Sequence, residues 1–439
     1  MEGLLTSPGV DLRFEDPESS ANKDLAIHRW AKWIAGFSGD FARSVMRQCL
    51  TEDTRNALVL DPFSGVGTTL LEASRVGVRS IGFEINPYAH LVCSVKLAAG
   101  EISTETLREH IRCYQASATA NGHHQDFRQL APVGFKSRIP FFSEPVETMV
   151  LRTLAYVDTL APRYQNIFRV ALGSVMVEFS NYTYEPSLGS RPGAGKQLVP
   201  TAPVVEIISK KLLDMAHDIE ELQKDTLGKV IAPSEVYCES FFSAGSRIAD
   251  HSVDLVVTSP PYMNNYHYVR NTRPQLFWTG LVHAPKELKA LEENNFGKFW
   301  QTVRAKEPVP LTFALPDLEE RVIAIRSIKP ERGVYGGSGW ANYIAGYMND
   351  LNTFCGLLHR FMKPNGVAVI VIGNSVIQGI DLPVHEYVSK IGGLSGLETI
   401  SIQMLRKRVG SSIVDSGSRL SGATKRTLYD YAVVLTPTH

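Results

Sequence analysis

Residues 58–73 read LVLDPFSGVGTTLLEA, a short apolar run that stops at an aspartate, passes through two glycines and becomes a helical pattern. Leu58 to Leu60 predict a buried strand ending at Asp61. Gly65 and Gly67 fall where the chain must turn tightly and let a ligand approach the backbone before a helix begins, which suits an adenosine-type cofactor at the carboxyl end of a parallel strand. The stretch is not a dinucleotide fingerprint, because Leu70 stands where the third glycine would be, and no G-K-[ST] follows to make a P-loop. Next, SIGFEINPYA at 80–89 predicts a second strand with Glu84 at its end, seventeen positions after Gly67. A carboxylate there either accepts from both ribose hydroxyls or caps the following helix; beside the glycine turn the first reading dominates. Alternation of strand and helix predicts a parallel sheet with crossover helices.

The chain has 439 residues, 44% hydrophobic and 21% charged, enough for a large core and two or three structural units. Basic and acidic residues balance at 45 each, which argues against a protein that coats nucleic acid without specificity but leaves room for a local basic face. Five scattered cysteines with no C-x-x-C spacing imply neither a disulfide framework nor a zinc site, so no metal is expected. The sequence holds no apolar run of membrane-spanning length, and its opening MEGLLTSPGVDLRFED lacks a signal-peptide layout, so a cytoplasmic protein with no membrane partner is expected.

Residues 1–100 read as an N-terminal segment, with helical spacing over 24–50, leading into the cofactor half of a core. Residues 101–232 turn mostly helical and are expected to be an insertion. The strand pattern resumes over 233–281, a second and irregular insertion covers 282–343, and 344–439 supply the last strands and helices of the core.

Within 233–281 lies the second informative stretch, VDLVVTSPPYMNNYHYVR at 253–270. Pro260 and Pro261 lack N–H donors and hold φ, so they end the strand and leave rigid carbonyls, expected to be unpaired, at the sheet's carboxyl edge. Ser259 adds a hydroxyl acceptor and Tyr262 an aromatic face. Together they suit an exocyclic amino group on a planar base; the plain alternative is a strand-to-loop turn with a buried tyrosine.

DPFSGVGTTLLEA (61–73) with TSPPY (258–262) resembles the S-adenosylmethionine-dependent amino-methyltransferases of DNA, whose motifs are D-P-F-x-G-x-G-T and [DNS]-P-P-[YFW]. The resemblance implies an α/β fold with a Rossmann-like class I methyltransferase sheet carrying the helical insertion and the smaller second one. It also implies that Asp61, Phe63, Gly65, Gly67 and Thr68 form a loop for S-adenosylmethionine, and that Glu84 binds its ribose. Glu239 is the nearest match to an aspartate that the family places near the adenine, and reads equally as a solvated strand-end carboxylate. Ser259, Pro260, Pro261 and Tyr262 are implied as the catalytic, base-holding group. Phe37 and Phe41 either close over the methionine end or pack in a core. Asn374, followed by Ser375, either orients the base or caps the next segment.

The implied substrate is a base in double-stranded DNA, flipped from the helix, with a cognate restriction endonuclease as partner. Tyr266 and Arg270, with His267, Tyr268 and Arg273, are candidates for contacts to the displaced strand or phosphates. Arg191 with Lys196, and Arg406, Lys407, Arg408, Arg419, Lys425 and Arg426, are further phosphate candidates or plain surface. Sequence recognition is expected in 101–232 first and 282–343 second. A serine at the first catalytic position commonly accompanies cytosine in the family, so N4-methylcytosine is the expected product. Adenine N6 is the alternative, a tRNA or rRNA guanine N2 the lesser one, and a non-enzymatic nucleic-acid-binding module the reading that intact motifs oppose.

Overall fold

The computed structural model describes residues 12–33, 36–50, 54, 56–119, 127–185, 187–227, 232–264, 266–408 and 428–438. Seven strands form its main sheet: β1 (Leu58–Asp61), β2 (Arg79–Phe83), β3 (Ser234–Tyr237), β4 (Val253–Thr258), β5 (Met362–Gly373), β6 (Leu397–Arg408) and β7 (Leu428–Pro437). Their order is β6-β7-β5-β4-β1-β2-β3. Strands β3, β2, β1, β4 and β5 run parallel, and β7 is antiparallel to both β5 and β6. This is the α/β class that the sequence predicts.

All six residues of β4 are buried, as are Gly366 to Gly373 of β5. Strands covered on both faces read as unbroken apolar runs, which is why VDLVVT and VAVIVIG show no alternation. The edge strand β6 does alternate. The strand order reverses at β1 and β4, which pair through Val59 to Leu255 and Leu60 to Val256. Crossovers leave these two strands in opposite directions, so a crevice opens beyond their carboxyl ends.

Helices α1 (Gly39–Cys49), α2 (Thr68–Arg75) and α3 (Pro87–Leu97) belong to the first half of the chain. Helices α4 (Thr104–Thr119), α5 (Glu144–Val157), α6 (Pro162–Val175) and α7 (Val204–Thr226) lie within 101–232. They share one apolar core with α3 and with α8 (Tyr268–Trp278), so Tyr88 and Val92 pack among Phe168, Leu172 and Leu276. Residues 282–343 contain α9 (Pro285–Asn294), α10 (Trp300–Val303) and α11 (Pro316–Arg326). Helix α12 (Gly337–Phe361) continues through residue 343 without a break and buries one face against the sheet, and α13 (Val384–Leu394) lies between β5 and β6 in the chain. Among the described residues no helix is long and apolar enough to cross a membrane.

Helical spacing over 24–50 produces a helix only from Gly39. Upstream, Ile27 takes a positive φ of 69° and His28–Trp30 forms a single 3₁₀ turn. The cause is tertiary. Buried Asp218 of α7 accepts from the Ile27 N–H (2.9 Å), the Trp30 indole (3.0 Å) and the Arg29 guanidinium, which pins this segment to the helical region.

Asp218→Ala leaves those donors without their acceptor, and is expected to cost about 3 kcal/mol or more. Urea denaturation reads the cost, and hydrogen exchange should show residues 27–30 opening first.

Candidate active site

The glycine loop follows β1 directly. Gly65 and Gly67 both take left-handed backbone, at φ 51° and 84°. Gly67 N–H donates to the Ser64 carbonyl (2.7 Å), and Ser64 bonds the Phe83 carbonyl with both its N–H (2.9 Å) and its hydroxyl (3.0 Å). The loop is thereby tied to the end of β2. A Cβ on Gly67 would sit 2.4 Å from Cys93 Sγ, so this glycine permits the loop to close on α3. A Cβ on Gly65 would meet the Trp33 indole nitrogen at 3.0 Å.

The loop borders a cavity of about 570 Å³. Asp61, Phe63, Gly65 and Thr68 line it from the loop, Glu84 from the end of β2, Glu239 from beyond β3, and Ser259 and Pro261 from the end of β4. Residues from four separated stretches therefore meet at one crevice, as the strand reversal requires. Gly67, Pro260 and Tyr262 are not in its lining.

Asp61 is only 3% exposed, and its Oδ1 accepts from the Thr258 hydroxyl (2.7 Å) and the Phe63 N–H (3.1 Å). Burial pushes its pKa up to about 6 despite these bonds. Glu84 accepts from the Asn86 N–H (2.7 Å), and burial pushes it up to about 7. The helix-capping alternative falls to Asn86, whose side chain accepts from Tyr88 and Ala89 at the start of α3. Glu239 is held by Arg247 Nε at 2.8 Å. Phe63 packs edge-on to Phe296, with ring centres 5.1 Å apart.

At the Ser-Pro-Pro-Tyr corner the expectation of two unpaired carbonyls needs correction. The Tyr347 hydroxyl of α12 donates to the Pro261 carbonyl at 2.8 Å, while nothing among the described residues donates to that of Pro260. Ser259 Oγ is buried and has no hydrogen bond of ordinary geometry among the described residues. The Arg408 guanidinium lies over the Tyr262 ring at 5.2 Å, and burial raises the Tyr262 pKa.

Other sequence candidates separate. Tyr268 joins the cavity lining, Tyr266 packs edge-on against it, and His267 stacks on Phe299 at 4.2 Å. Arg270 is exposed, whereas Arg273 lies over the Phe135 ring. Phe37 lines the cavity, and Phe41 is wholly buried in a core with Phe14. Asn374 uses its amide oxygen on the Tyr429 N–H (2.7 Å) and its carbonyl on Arg408 (2.8 Å), so it clamps β5 to β7 and stands outside the cavity lining. Ser375 donates to the Met263 carbonyl. Arg406 and Arg408 pair with fully buried Asp430, which makes them internal ties, while Lys407 is exposed. Arg191 bonds the carbonyls of Ser180 and Glu178, and Lys196 pairs with Glu185. Arg419, Lys425 and Arg426 lie outside the described residues. Among the lining residues that sequence reasoning did not single out are His28, Trp33 and Lys96.

The glycine loop, a strand-end carboxylate and the proline corner thus border one cavity of nucleotide size. Residues 15–93 match the family of DNA methylases described as N6_N4_Mtase. The chain resembles this family over that stretch. It is similar to the type II methyltransferase M.BsoBI of Geobacillus stearothermophilus, with 26% identity covering 90% of this chain and 84% of the relative. The type II methyltransferase M.AvaI of Nostoc sp. is 22% identical over 93% of this chain and 87% of its own length. Among solved structures, the rRNA methyltransferase AviRa of Streptomyces viridochromogenes aligns with 92% of this chain and 87% of its own, at 11% identity and a TM-score of 0.27, too low to bear on fold or function.

Both Asp61 and Glu84 have folded-state pKa values above their ordinary ones. Each therefore favours folding in its neutral form, so that stability is full below about pH 4 and is lost as pH rises through about 7. Glu84→Gln removes one share of this loss. The variant is expected to melt higher than the parent at pH 8, with the difference shrinking toward pH 5; a lower melting temperature at pH 8 contradicts the expectation.

Proposed function

We propose that the chain is a sequence-specific methyltransferase that uses S-adenosylmethionine to methylate the N4 amino group of cytosine in double-stranded DNA. The type II methyltransferase relatives support the DNA substrate, and a cognate restriction endonuclease as partner goes with that reading. The observation that carries it is Ser259: its buried hydroxyl faces that of Tyr262 but makes no hydrogen bond of ordinary geometry among the described residues, and it borders the same cavity as Glu84 and the glycine loop. The residues fit the methyl donor, since Glu84 is suited to ribose hydroxyls and the loop glycines leave backbone open to approach.

When bound, S-adenosylmethionine supplies an electrophilic methyl group on a sulfonium sulfur. The chain's work is orientation, because an exocyclic amino nitrogen shares its lone pair with its ring and is a weak nucleophile. The Ser259 hydroxyl is the acceptor that the corner presents to the cavity for one amino hydrogen, and the Pro260 carbonyl, set back from the lining but without a donor among the described residues, is the one left for the second; Pro261 is committed to Tyr347. Holding both favours the pyramidal nitrogen that develops during attack. A proton then passes to solvent, so no strong general base is needed. A paired base reaches this corner only by flipping. Exposed Arg270, in the first turn of α8, and partly buried Tyr266 just before that helix are the strand-contacting residues in this reading, and recognition of sequence context belongs to residues 101–232, with 282–343 second.

The choice of cytosine rests on Ser259, whose short hydroxyl acceptor suits a small pyrimidine. Nucleoside mass spectrometry after incubation with DNA and methyl donor is expected to show N4-methylcytosine. Ser259→Ala should lower kcat by about tenfold or more with donor binding intact. Detection of N6-methyladenine alone overturns the base, and an absence of methylated DNA overturns the activity.

A further inference from the structure

Several buried charges among the described residues are matched. Glu72 is met by His28, Arg43 and Arg75, Asp218 by Arg29, and Asp430 by Arg406 and Arg408. Lys96 is a buried cation without such a partner, as Asp61 and Glu84 in the same cavity are carboxylates without one. It is 1% exposed, yet no carboxylate among the described residues lies within ion-pair distance of it. Of its three donors one has a recorded bond, a long one of 3.3 Å to the His28 carbonyl. An ammonium removed from water without an anion is costly, and such groups are either neutralised or supplied with a partner. Burial does lower the Lys96 pKa, to about 7.

Lys96 also lines the cavity that holds Glu84 and the glycine loop. Beside it, His28 keeps a buried Nδ1 with no partner among the described residues while Nε2 is engaged by Glu72 at 2.8 Å. The other cations in the lining are differently placed: Arg29 is taken by Asp218, and Lys23 and Lys32 are exposed. One cavity thus contains a carboxylate suited to hydroxyl donors and a desolvated cation suited to an anion.

We propose that Lys96 anchors the carboxylate of the methyl donor's amino-acid end. This rests on the reading of the cavity as the S-adenosylmethionine site and adds the positioning residue for its methionine half. The residue acts on the donor's placement, holding the adenosyl amino acid by charge while Glu84 holds the ribose.

Calorimetry on the purified protein compares S-adenosylmethionine with decarboxylated S-adenosylmethionine, which keeps the adenosine and the sulfonium and lacks only the carboxylate. The wild-type protein is expected to prefer the carboxylated donor by about tenfold or more, the scale of a charge-assisted hydrogen bond. Lys96→Met, of similar length and uncharged, should lose that preference by weakening the carboxylated donor and leaving the decarboxylated one within about twofold, since that donor has no carboxylate contact to lose. Equal wild-type affinity for the two donors overturns the assignment without recourse to a variant. So does a folded Lys96→Met protein that keeps the full preference. Failure of the wild type to bind either donor overturns the methyl-donor reading itself, and with it this assignment.

Discussion

The Thr258 hydroxyl donates to Asp61 Oδ1 at 2.7 Å, and through that buried bond the ends of β1 and β4 hold one another. The same carboxyl oxygen accepts the Phe63 N–H and so shapes the entry to the glycine loop. Residues 197 apart in the chain are joined in this way. The loop that is proposed to receive the cofactor cannot shift without moving the strand that carries Ser259. A methyl transfer needs its two partners aligned to fractions of an ångström, and this bond is where the fold supplies the alignment.

Around it the interior is organised by charges that find each other across long sequence distances. Asp218 pins the N-terminal turn to the helical region, Glu72 gathers His28 and two arginines beneath that turn, and Asp430 holds Arg406 and Arg408, the latter over Tyr262. Breaking any such pair strands a charge away from water, so each is a tie as well as a contact. Where matching stops, at Glu84, Lys96 and the Ser259 hydroxyl, the three groups border one cavity. Departures from local consistency concentrate at functional sites because a ligand completes them.

The parallel core was legible because its local signals agree. LVLD and VDLVVT are short apolar runs closed by glycine or proline, and those closures sit at the carboxyl edge where a reversed strand order opens a crevice. The DPFSGVG and SPPY motifs likewise marked Asp61, Gly65 and Ser259, and the end of the second predicted strand marked Glu84, all of which line the cavity. The N-terminal segment was less legible. Its helical spacing over 24–50 was real, but Asp218 on α7 offers the Ile27 N–H and the Trp30 indole a competing acceptor, and tertiary bonding overrides propensity there.

By itself the sequence determined the strand-and-helix alternation, the two turns that end β1 and β4, and the residue types presented at those turns, because each depends on neighbours within a few positions. Only the tertiary structure decided which polar groups remain available. Tyr347 claims the Pro261 carbonyl, Tyr429 claims the Asn374 amide and Asp430 claims two arginines that read as phosphate ligands. Lys96, which as the last-turn cation of α3 looks like an ordinary partner for a helix terminus, is instead enclosed at the cavity without an anion among the described residues. Availability is a property of the partners brought close by folding, and those partners lie tens of residues away in the chain.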